Sequence, residues 1–323
     1  MNRPSAHLNS PIMRRRSPLL PLSLIFFFFV SVGAATDSEF RICAYNVQKF
    51  DSEKAADYRV MHTLMKIVAR CDICLLQDVR DPSGSAIKTL VSSLDRYEDD
   101  NFKAVSSKSL GTSDADLQKY VFIYRTKKVS VVDQYQYQNK DFFVRGPFVV
   151  RFKSKKTAIK DFILVPLHSE PSRAAQEIDR LVDVFEDVSK KWNNTNVMFL
   201  GDFHAGCAYV TRHSKKSIRL FSGSKFSWLI GDRLDTTVSD ETSCAYDRIV
   251  VHGKSFVKAI VPYSAKVFNV AKEFKITRSK VLQVSDHLPV EVRLKSSAPF
   301  LQATPLLILL SVSVIVSSFL SAL

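Results

Sequence analysis

The sequence contains little glycine, with 9 glycines in 323 residues. Neither a G-x-x-x-x-G-K-[ST] nor a G-x-G-x-x-G pattern occurs, so the glycine-rich loops that hold phosphates in many nucleotide-binding proteins have no support here. The rest of the composition is ordinary, since 46% of the residues are hydrophobic and 24% are charged. This balance excludes disordered, collagen-like and coiled-coil chains and predicts a packed core.

Acidic residues are outnumbered, at 32 Asp plus Glu against 46 Lys plus Arg, which gives a formal net charge of +14. The first 35 residues contribute four arginines and no acid, and the last 28 carry no charge, so residues 36–295 hold +10. Such an excess favours anionic partners, either nucleic acid or an acidic membrane, although net charge carries no information about the fold.

The sequence has five cysteines, which allow at most two disulfides and leave one thiol over. Cys71 and Cys74 form a C-x-x-C pair, but this pair leads into the apolar run at residues 73–76, and no second pair has the spacing of a zinc site. We therefore expect these cysteines to behave as small buried side chains rather than as a redox or zinc site.

The amino terminus has the order of a signal peptide. Residues 1–35 carry basic residues first, then an apolar stretch at 19–32, then the small residues Gly33, Ala34 and Ala35. This order predicts a cleaved signal peptide and entry into the secretory pathway, with an uncleaved anchor helix as the alternative.

The carboxyl terminus is apolar as well. Residues 306–323 carry no charge, and they follow a spacer and the small residues Ser296, Ser297 and Ala298. We interpret residues 296–323 as a GPI-anchor signal, with a membrane-embedded tail helix as the alternative. Both alternatives tether the protein to a membrane, so we expect it in the endoplasmic reticulum and at the cell surface.

Residues 36–295 are predicted to form one folded domain in which short strands alternate with a few helices. Apolar residues recur at helical spacing in three stretches, 60–68, 87–94 and 178–188, and such stripes are more typical of core-facing helices than of partner-binding faces. An Asn-Asn-Thr sequon predicts glycosylation of Asn193 in a surface loop. The predicted strands are 40–47, 74–79, 120–124, 129–137, 148–152, 162–168, 197–201, 246–251 and 289–294.

Polar side chains gather where the predicted strands end. One such residue alone is usually a turn former, but seven in one domain indicate a site. Carboxylate and amide oxygens are ligands that Mg²⁺ prefers, and histidines transfer protons and hydrogen bond to phosphate. Metal-assisted hydrolysis of a phosphodiester needs this set of groups. The seven residues are Asn46, Asp78, His168, Asp202, Asp247, Asp286 and His287.

Six short segments carry these residues. They are Ala-Tyr-Asn at 44–46, Leu-Gln-Asp-Val-Arg-Asp at 76–81, Val-Pro-Leu-His-Ser at 165–169, Gly-Asp-Phe at 201–203, Cys-Ala-Tyr-Asp-Arg at 244–248 and Ser-Asp-His-Leu-Pro-Val-Glu-Val at 285–292. In order and spacing the set resembles the DNase I family over essentially the whole domain. Gly-Asp-Phe and Ser-Asp-His-x-Pro are shared with a wider superfamily of phosphodiesterases, whereas Cys-x-Tyr-Asp-Arg and Leu-His-Ser-x-Pro narrow the resemblance to DNases. The apolar tail makes the chain most similar to the membrane-tethered DNase I-like branch.

The resemblance implies an α/β (α+β) fold, a four-layer αββα sandwich of two mixed β-sheets flanked by helices. It also implies double-stranded DNA as the substrate, Mg²⁺ as the catalytic cofactor and Ca²⁺ as a structural one; we expect a monomer. His168 and His287 match the family's catalytic histidines, and Asp247 matches the carboxylate that pairs with the second. The residues that match the surroundings of the phosphate and metal are Asn46, Asp78, Asp202 and Asp286.

Other matches concern DNA contact. Arg80 and Arg145 match DNA-contacting arginines, and Tyr246 matches a residue beside the scissile phosphate. His204 is expected to donate to phosphate there.

The last matches concern stability. Cys207 and Cys244 match the family's disulfide, which leaves the remaining cysteines, Cys43, Cys71 and Cys74, as expected buried thiols. A looser match, with oxygen ligands only, is the structural Ca²⁺ site at Asp235, Thr237 and Thr242.

Three positions depart from the family pattern. Asp78 replaces a metal-binding Glu and is one methylene shorter, His204 replaces an Asn, and Gln118 aligns with the Glu that partners the first catalytic histidine. A neutral amide can orient an imidazole but does not stabilise its cation, and the analogous Asp-to-Asn change in serine proteases costs about 10⁴ in kcat. A shifted alignment in the loop at 111–120 would bring Asp116 to this position instead.

The sequence therefore leaves functions of different classes open. The first is a metal-dependent endonuclease with weakened activity, in which Asp247 and His287 activate water and His168 protonates the leaving oxygen. The second is a DNA-binding protein of the same fold whose catalysis is impaired. A phosphodiesterase acting on lipid or nucleotide fits the same core, but the DNase-specific segments disfavour it.

Overall fold

The structure is a computed structural model and describes residues 40–139 and 141–297. The predicted signal peptide, and the predicted anchor signal after its first two residues, lie outside the described residues. In the described part of the chain, no helix has both the length and the apolarity needed to cross a membrane.

Strands and helices alternate along the described chain. The strands are β1 (Phe40–Phe50), β2 (Ile73–Val79), β3 (Phe102–Ser106), β4 (Lys119–Arg125), β5 (Ser130–Gln136), β6 (Phe148–Lys153), β7 (Asp161–Pro166), β8 (Val197–Asp202), β9 (Phe226–Trp228), β10 (Asp247–His252), β11 (Lys266–Val267) and β12 (Val290–Leu294). The helices are α1 (Ser52–Ala56), α2 (Tyr58–Ala69), α3 (Ser85–Tyr97), α4 (Ala174–Trp192), α5 (Arg219–Ser222), α6 (Gly253–Ala259), α7 (Val270–Phe274) and α8 (Arg278–Val284).

The described strands form two mixed sheets of six strands each, in the orders β11-β12-β1-β2-β4-β3 and β5-β6-β7-β8-β10-β9. Side chains of β1 alternate between two hydrophobic clusters, as the two-residue period of a strand requires. Ile42 packs between the two sheets, whereas Tyr45 packs against α2 and α3. In the second sheet, Phe199 of β8 packs against α4. The result is the four-layer sandwich, helix on sheet on sheet on helix, that the sequence predicts.

Strand direction brings the predicted polar residues to one edge of both sheets. β1 pairs with β2 in parallel, and β7 pairs with β8 in parallel, so the carboxyl ends of each pair lie together. β10 runs antiparallel to β8, and its first residue, Asp247, lies opposite Asp202, the last residue of β8. Side chains that are far apart in the sequence therefore meet at this edge.

Two disulfides are present among the described residues. Cys207 and Cys244 are joined, with Cα atoms 5.8 Å apart, as the resemblance implies. The prediction that Cys43 and Cys71 are free thiols is wrong, because these two residues are also joined, with Cα atoms 6.1 Å apart. Cys74 is the buried free thiol. The sequence does not show this pairing because it depends on where the end of α2 lies beside β1.

Candidate active site

Asp202 lies at the centre of the candidate site, fully buried at the end of β8. Its Oδ2 accepts a hydrogen bond from Asn46 Nδ2 at 3.0 Å, and its Oδ1 accepts one from the backbone N–H of His204 at 3.1 Å. Burial works to raise the pKa of Asp202, but the nearby histidines His204, His287 and His168 outweigh it and hold the pKa well below its ordinary range. The site therefore contains a fixed negative charge.

A buried amide fixes the strand ends around Asp202. The side chain of Gln77 donates to the carbonyl of Leu167 at 2.7 Å and accepts from the backbone N–H of Asp202 at 2.9 Å, so it joins the two sheets. Gly201 makes room for this contact, because a Cβ on it would lie 2.5 Å from Gln77 Nε2, and its φ is +125°. No sequence pattern marks Gln77 as part of the site, apart from its position inside the 76–81 segment.

Two histidines face the same oxygen of Asp202 from different elements. His168, which follows β7, has its Nε2 3.7 Å from Asp202 Oδ2, and His287, which follows α8, has its Nε2 3.6 Å from that atom. A reacting group between the two rings would therefore meet an imidazole on either side. This is the arrangement that general acid and base catalysis needs.

His287 is held by a carboxylate. Its Nδ1 lies 2.8 Å from Asp247 Oδ2, and the backbone N–H of Asp247 donates to the hydroxyl of Thr236. Burial works to lower the pKa of His287, but the carboxylates of Asp247 and Asp202 outweigh it and raise the pKa to about 10. His287 is therefore an imidazolium at neutral pH.

His168 is held by an amide instead. Its Nδ1 donates to Gln118 Oε1 over 2.6 Å, which leaves the Nε2 lone pair directed at Asp202. Burial lowers the pKa of His168 to about 3, assisted by Arg145 and opposed by Asp202. His168 is therefore neutral at physiological pH, the opposite state from His287.

The structure decides the register that the sequence left open. Gln118 faces His168, whereas Asp116 lies in a short 3₁₀ turn with its carboxylate 3.5 Å from Arg145 Nη1. The bridge between Gln118 and Leu110 fixes this part of the loop. The neutral amide is thus the partner of His168 in the fold.

Asp78 and Asn46 lie on neighbouring strands of the first sheet. Asp78 has a left-handed backbone, with φ at 54°, and its carboxylate accepts from the backbone N–H of Lys49 at 2.8 Å and from Arg80 Nε at 3.0 Å. Asn46 Oδ1 accepts from the backbone N–H of Gln48. Both oxygen donors are therefore held in place by the irregular segment of β1 that follows Asn46.

Asp286 is joined to this segment through Gln48 and is more open to solvent. Its side chain is 52% exposed, and its backbone N–H donates to Gln48 Oε1 at 3.1 Å. Its Oδ1 is 3.9 Å from His287 Nε2. Asp286 thus provides an accessible carboxylate at the rim of the site.

The residues expected to contact DNA occupy different depths. Tyr246 and His204 lie at the rim with ring centroids 5.5 Å apart, and Arg80 is half-buried and donates to the carbonyl of Ala115. Arg145 is only 3% exposed, and its guanidinium donates to the carbonyls of His168 and Ser169. In this structure Arg145 lies beneath the site and fixes the backbone of His168.

The three residues expected at the Ca²⁺ site also lie together. Thr237 Oγ1 donates to Asp235 Oδ1 at 2.7 Å and to the carbonyl of Thr242 at 3.1 Å. Oxygen donors of this kind suit Ca²⁺. The structure brings these residues into one cluster; Ca²⁺ binding itself stays a prediction.

In the described part of the chain, two sets of side chains place one metal-binding atom each within 4.8 Å of one another. They are the set His168, Asp202 and His204 and the set Asp202, Asp247 and His287. Asp202 belongs to both.

Comparison with known proteins identifies the family. A family model described as Endonuclease/Exonuclease/phosphatase family matches residues 43–287. The chain is 41% identical over 289 residues to deoxyribonuclease gamma of Homo sapiens, a match that covers 87% of this chain and 93% of that protein. The chain belongs to the DNase I family. Within this family it is also 38% identical over 311 residues to deoxyribonuclease-1-like 1 of Cricetulus griseus, covering 95% of this chain and 99% of that protein.

A solved structure supports the fold. The crystal structure of D. rerio TDP2 complexed with a single-strand DNA product aligns with a TM-score of 0.54 at 13% identity, covering 79% of this chain and 98% of that one. At this identity the likeness concerns the fold alone, which this chain and TDP2 share.

Proposed function

We propose that this chain is an endonuclease that hydrolyses phosphodiester bonds of double-stranded DNA with divalent-metal dependence and weakened activity. The observation that carries the proposal is the pair of imidazoles facing Asp202, each 3.6 to 3.7 Å from the same carboxylate oxygen. The similarity to proteins named deoxyribonucleases supports DNA as the substrate, and the net charge of +14 favours a polyanion.

The protonation states favour a division of labour opposite to the one in the sequence analysis. Neutral His168 accepts the proton of the attacking water at Nε2, and protonated His287 donates the proton that the leaving oxygen takes up. A base with a pKa of about 3 is far from neutrality and therefore weak. Gln118 keeps it weak, because an amide does not stabilise the imidazolium that forms when His168 accepts a proton.

The oxygen donors of the site fit Mg²⁺. Asn46, Asp78 and Asp286 offer an amide and two carboxylates, which are hard ligands of the kind that Mg²⁺ prefers, and these residues would hold it. When bound there, Mg²⁺ would stabilise the negative charge that develops on the phosphate oxygens. Tyr246, His204 and Arg80 at the rim would contact the DNA backbone, and the Asp235 cluster would hold a structural Ca²⁺.

A second candidate function, a DNA-binding protein without turnover, is favoured by one specific observation. Among the described residues, the side chain hydrogen bonded to the His168 ring is the neutral amide of Gln118. If that amide reduces proton transfer enough, the fold and the basic surface remain while catalysis is lost.

Plasmid nicking distinguishes the two. The purified chain is assayed with Mg²⁺ plus Ca²⁺ and, separately, with EDTA, beside His168→Ala, His287→Ala and the exposed control His213→Ala. Slow metal-dependent nicking that both site variants lose and the control keeps supports the nuclease. A folded chain that binds DNA but does not nick it under any of these conditions supports the binding protein.

We also propose that the protein is a membrane-tethered glycoprotein of the secretory pathway and a monomer. Asn193 supports glycosylation, because it is exposed at the carboxyl end of α4 in a left-handed conformation. Two disulfides among the described residues suit an oxidising compartment. Expression in secretory cells tests this: treatment with a glycosidase should increase gel mobility in the wild type but not in Asn193→Gln, and a phosphatidylinositol-specific phospholipase should release the protein from the cell surface.

A further inference from the structure

His204 lies beside His168 but takes no part in the proposed proton transfers. It follows β8 in a left-handed conformation, with φ at 48°. Its Nδ1 lies 3.5 Å from Asp202 Oδ1 and 3.2 Å from Ser169 Oγ. The rings of His204 and His168 lie nearly parallel, at 20°, with centroids 5.8 Å apart. Two imidazoles therefore flank one buried carboxylate.

The separations of the donor atoms suit a small tetrahedral ion. Zinc binds imidazole nitrogen and carboxylate oxygen at about 2.0 to 2.2 Å, so two ligands of a tetrahedral site lie roughly 3.3 Å apart. His168 Nε2 lies 3.7 Å from Asp202 Oδ2, and His204 Nδ1 lies 3.5 Å from Asp202 Oδ1, so each imidazole faces its own oxygen of the carboxylate. One ligand atom from each of the three residues lies within 4.8 Å of the others, so zinc binding needs side-chain rotations that draw these atoms closer together.

The hydrogen bonds around His168 leave the ring nitrogen that faces Asp202 free, whereas zinc on His204 Nδ1 would replace its contact with Ser169 Oγ. Gln118 accepts from Nδ1 of His168, so the Nε2 lone pair points at Asp202. Metal-binding histidines are usually held in this way, by an acceptor on the other ring nitrogen. Asp202 is itself fixed by the amide of Asn46.

We infer that His168, Asp202 and His204 form a binding site for one zinc ion or a similar first-row transition-metal cation. Two imidazoles with one carboxylate are a zinc donor set, whereas Mg²⁺ and Ca²⁺ take oxygen ligands. The three side chains are mostly buried, since those of His168 and His204 are 10% and 12% exposed and that of Asp202 is fully buried. The site therefore offers three protein ligands.

The metal would compete with catalysis. A cation on Nε2 of His168 occupies the lone pair that accepts the proton of water, so bound zinc suppresses nicking. This consequence rests on the proposed function, whereas the binding does not.

Zinc binding is measured directly on the purified full chain, prepared without a histidine tag and stripped of metal. Titration against a chromogenic zinc chelator should show one tight equivalent. His204→Asn, which suits a left-handed backbone, should weaken this binding by at least about 10- to 100-fold. His213→Asn is the matched control, because it removes an exposed histidine, and it should bind as the wild type does.

Two further measurements keep the result decisive. Co²⁺ in place of zinc should give the intense visible absorption of a tetrahedral site in the wild type and not in His204→Asn. Thermal unfolding of the metal-free proteins shows whether each variant is folded. If His204→Asn is unfolded, His204→Gln replaces it in the binding measurements. The inference is wrong if the wild type and both His204 variants bind zinc with equal affinity. It is also wrong if zinc binding is lost only in His287→Asn, because Asp202, Asp247 and His287 would then hold the ion.

Nicking assays separate this inference from the proposed function. Zinc added at fixed Mg²⁺ should inhibit the wild type, relative to its own zinc-free rate, more strongly than it inhibits His204→Asn. If the wild type binds zinc through His204 but never nicks DNA, the site stands and the proposed function fails. If the wild type nicks DNA but its zinc affinity does not depend on His204, the function stands and the site fails.

Discussion

The residue bonded to Nδ1 differs in charge between His287 and His168. Asp247 is a carboxylate and holds His287 as a cation, whereas Gln118 is an amide and leaves His168 neutral. The two rings face one oxygen of Asp202 at nearly equal distances, so this second partner does not distinguish them. This carboxylate-to-amide difference therefore contributes to the asymmetry of the site, together with the burial of His168 and the nearby charge of Arg145.

Gln118→Glu should raise the nuclease rate at neutral pH, on the order of 10-fold or more, because a carboxylate stabilises the imidazolium of His168. His168 works as a base only when it is unprotonated, so activity is present above its pKa and is lost as pH falls through it. In the wild type the acidic limb of the pH profile should therefore lie near pH 3, and in the variant it should move toward neutrality.

Initial nicking rates over a range of pH check this expectation. Gln134→Glu, on an exposed position of β5, adds the same charge away from the site and should leave the profile unchanged. A rate that rises in the wild type as pH falls toward 3 would instead assign the acid role to His168.

Gly201→Ala should destabilise the protein by about 2 kcal/mol or more, because the backbone has a positive φ and the new methyl group would meet the buried amide of Gln77. Urea unfolding measures the change. Gly231→Ala is the control, since a Cβ there meets nothing within 4 Å, and it should change the free energy of unfolding by no more than about 0.5 kcal/mol. Equal stability of both variants would show that Gln77 relaxes freely.

At the scale of the elements, the site depends on how the irregular part of β1 is held against the end of α8. The pairing of β1 with β2 shifts between Asn46 and Phe50, and Gln48 and Lys49 have positive φ. The ammonium group of Lys54 donates to the carbonyls of Val47, Gln48 and Val284, so it joins this segment to the last residue of α8. Asn46 and Asp286 lie on the two segments that Lys54 joins.

Lys54→Met should therefore increase the Mg²⁺ concentration needed for half-maximal activity, by roughly 10-fold, since changes in the groups that orient metal ligands commonly cost 10- to 100-fold in affinity. The effect on kcat at saturating Mg²⁺ should be smaller, because the histidines keep their partners. Mg²⁺ titrations of the nicking rate measure both quantities. Lys88→Met, on the exposed face of α3, is the control, and equal Mg²⁺ dependence in both variants would contradict a positioning role for Lys54.

All nine predicted strands and all three predicted helices are present, because long alternating or helical apolar patterns reflect burial directly. The strands that the sequence analysis missed, β3, β9 and β11, lie at sheet edges. β9 and β11 have only three and two residues, and β3 is largely solvent-facing. Edge strands of this kind have no strong hydrophobic period, so they form because they pair with a neighbouring strand, which the sequence pattern does not show.

For the whole molecule, the position of charged residues relative to the site predicts which end of the sheet contacts DNA. The site lies at the carboxyl ends of β7 and β8, whereas the lysine-rich connection between β6 and β7 precedes β7 and so lies at the opposite end of the sheet. The exposed Lys155 and Lys156 of this connection therefore lie away from the site, whereas Tyr246 and His204 lie beside it.

DNA affinity, measured in EDTA to prevent cleavage, should fall steeply with salt, on the order of 100-fold between 50 and 200 mM for four phosphate contacts. Arg80→Gln should reduce the slope of log K against log salt by about one contact, because Arg80 lies beside the site. The double variant Lys155→Gln and Lys156→Gln removes exposed charge at the far end and should leave that slope nearly unchanged. The opposite pattern would place the DNA on the far end.

The sequence by itself predicted the main strands and helices from their periodicity, and its short motifs carried the family resemblance that implied the layers of the fold and the candidate site, because periodicity and motifs are local properties. Asn46, Asp202 and His168 were identified from their places at strand ends, and the structure brings them together. Tertiary structure alone decided that Gln118 rather than Asp116 faces His168, that Cys43 pairs with Cys71, and that Gln77 joins the sheets. These features are contacts between residues far apart in the chain, so they depend on packing that no local pattern records. The burial of Arg145 and the opposite charges of the two histidines follow from the same packing, since burial and neighbouring charges exist only after the strands are assembled.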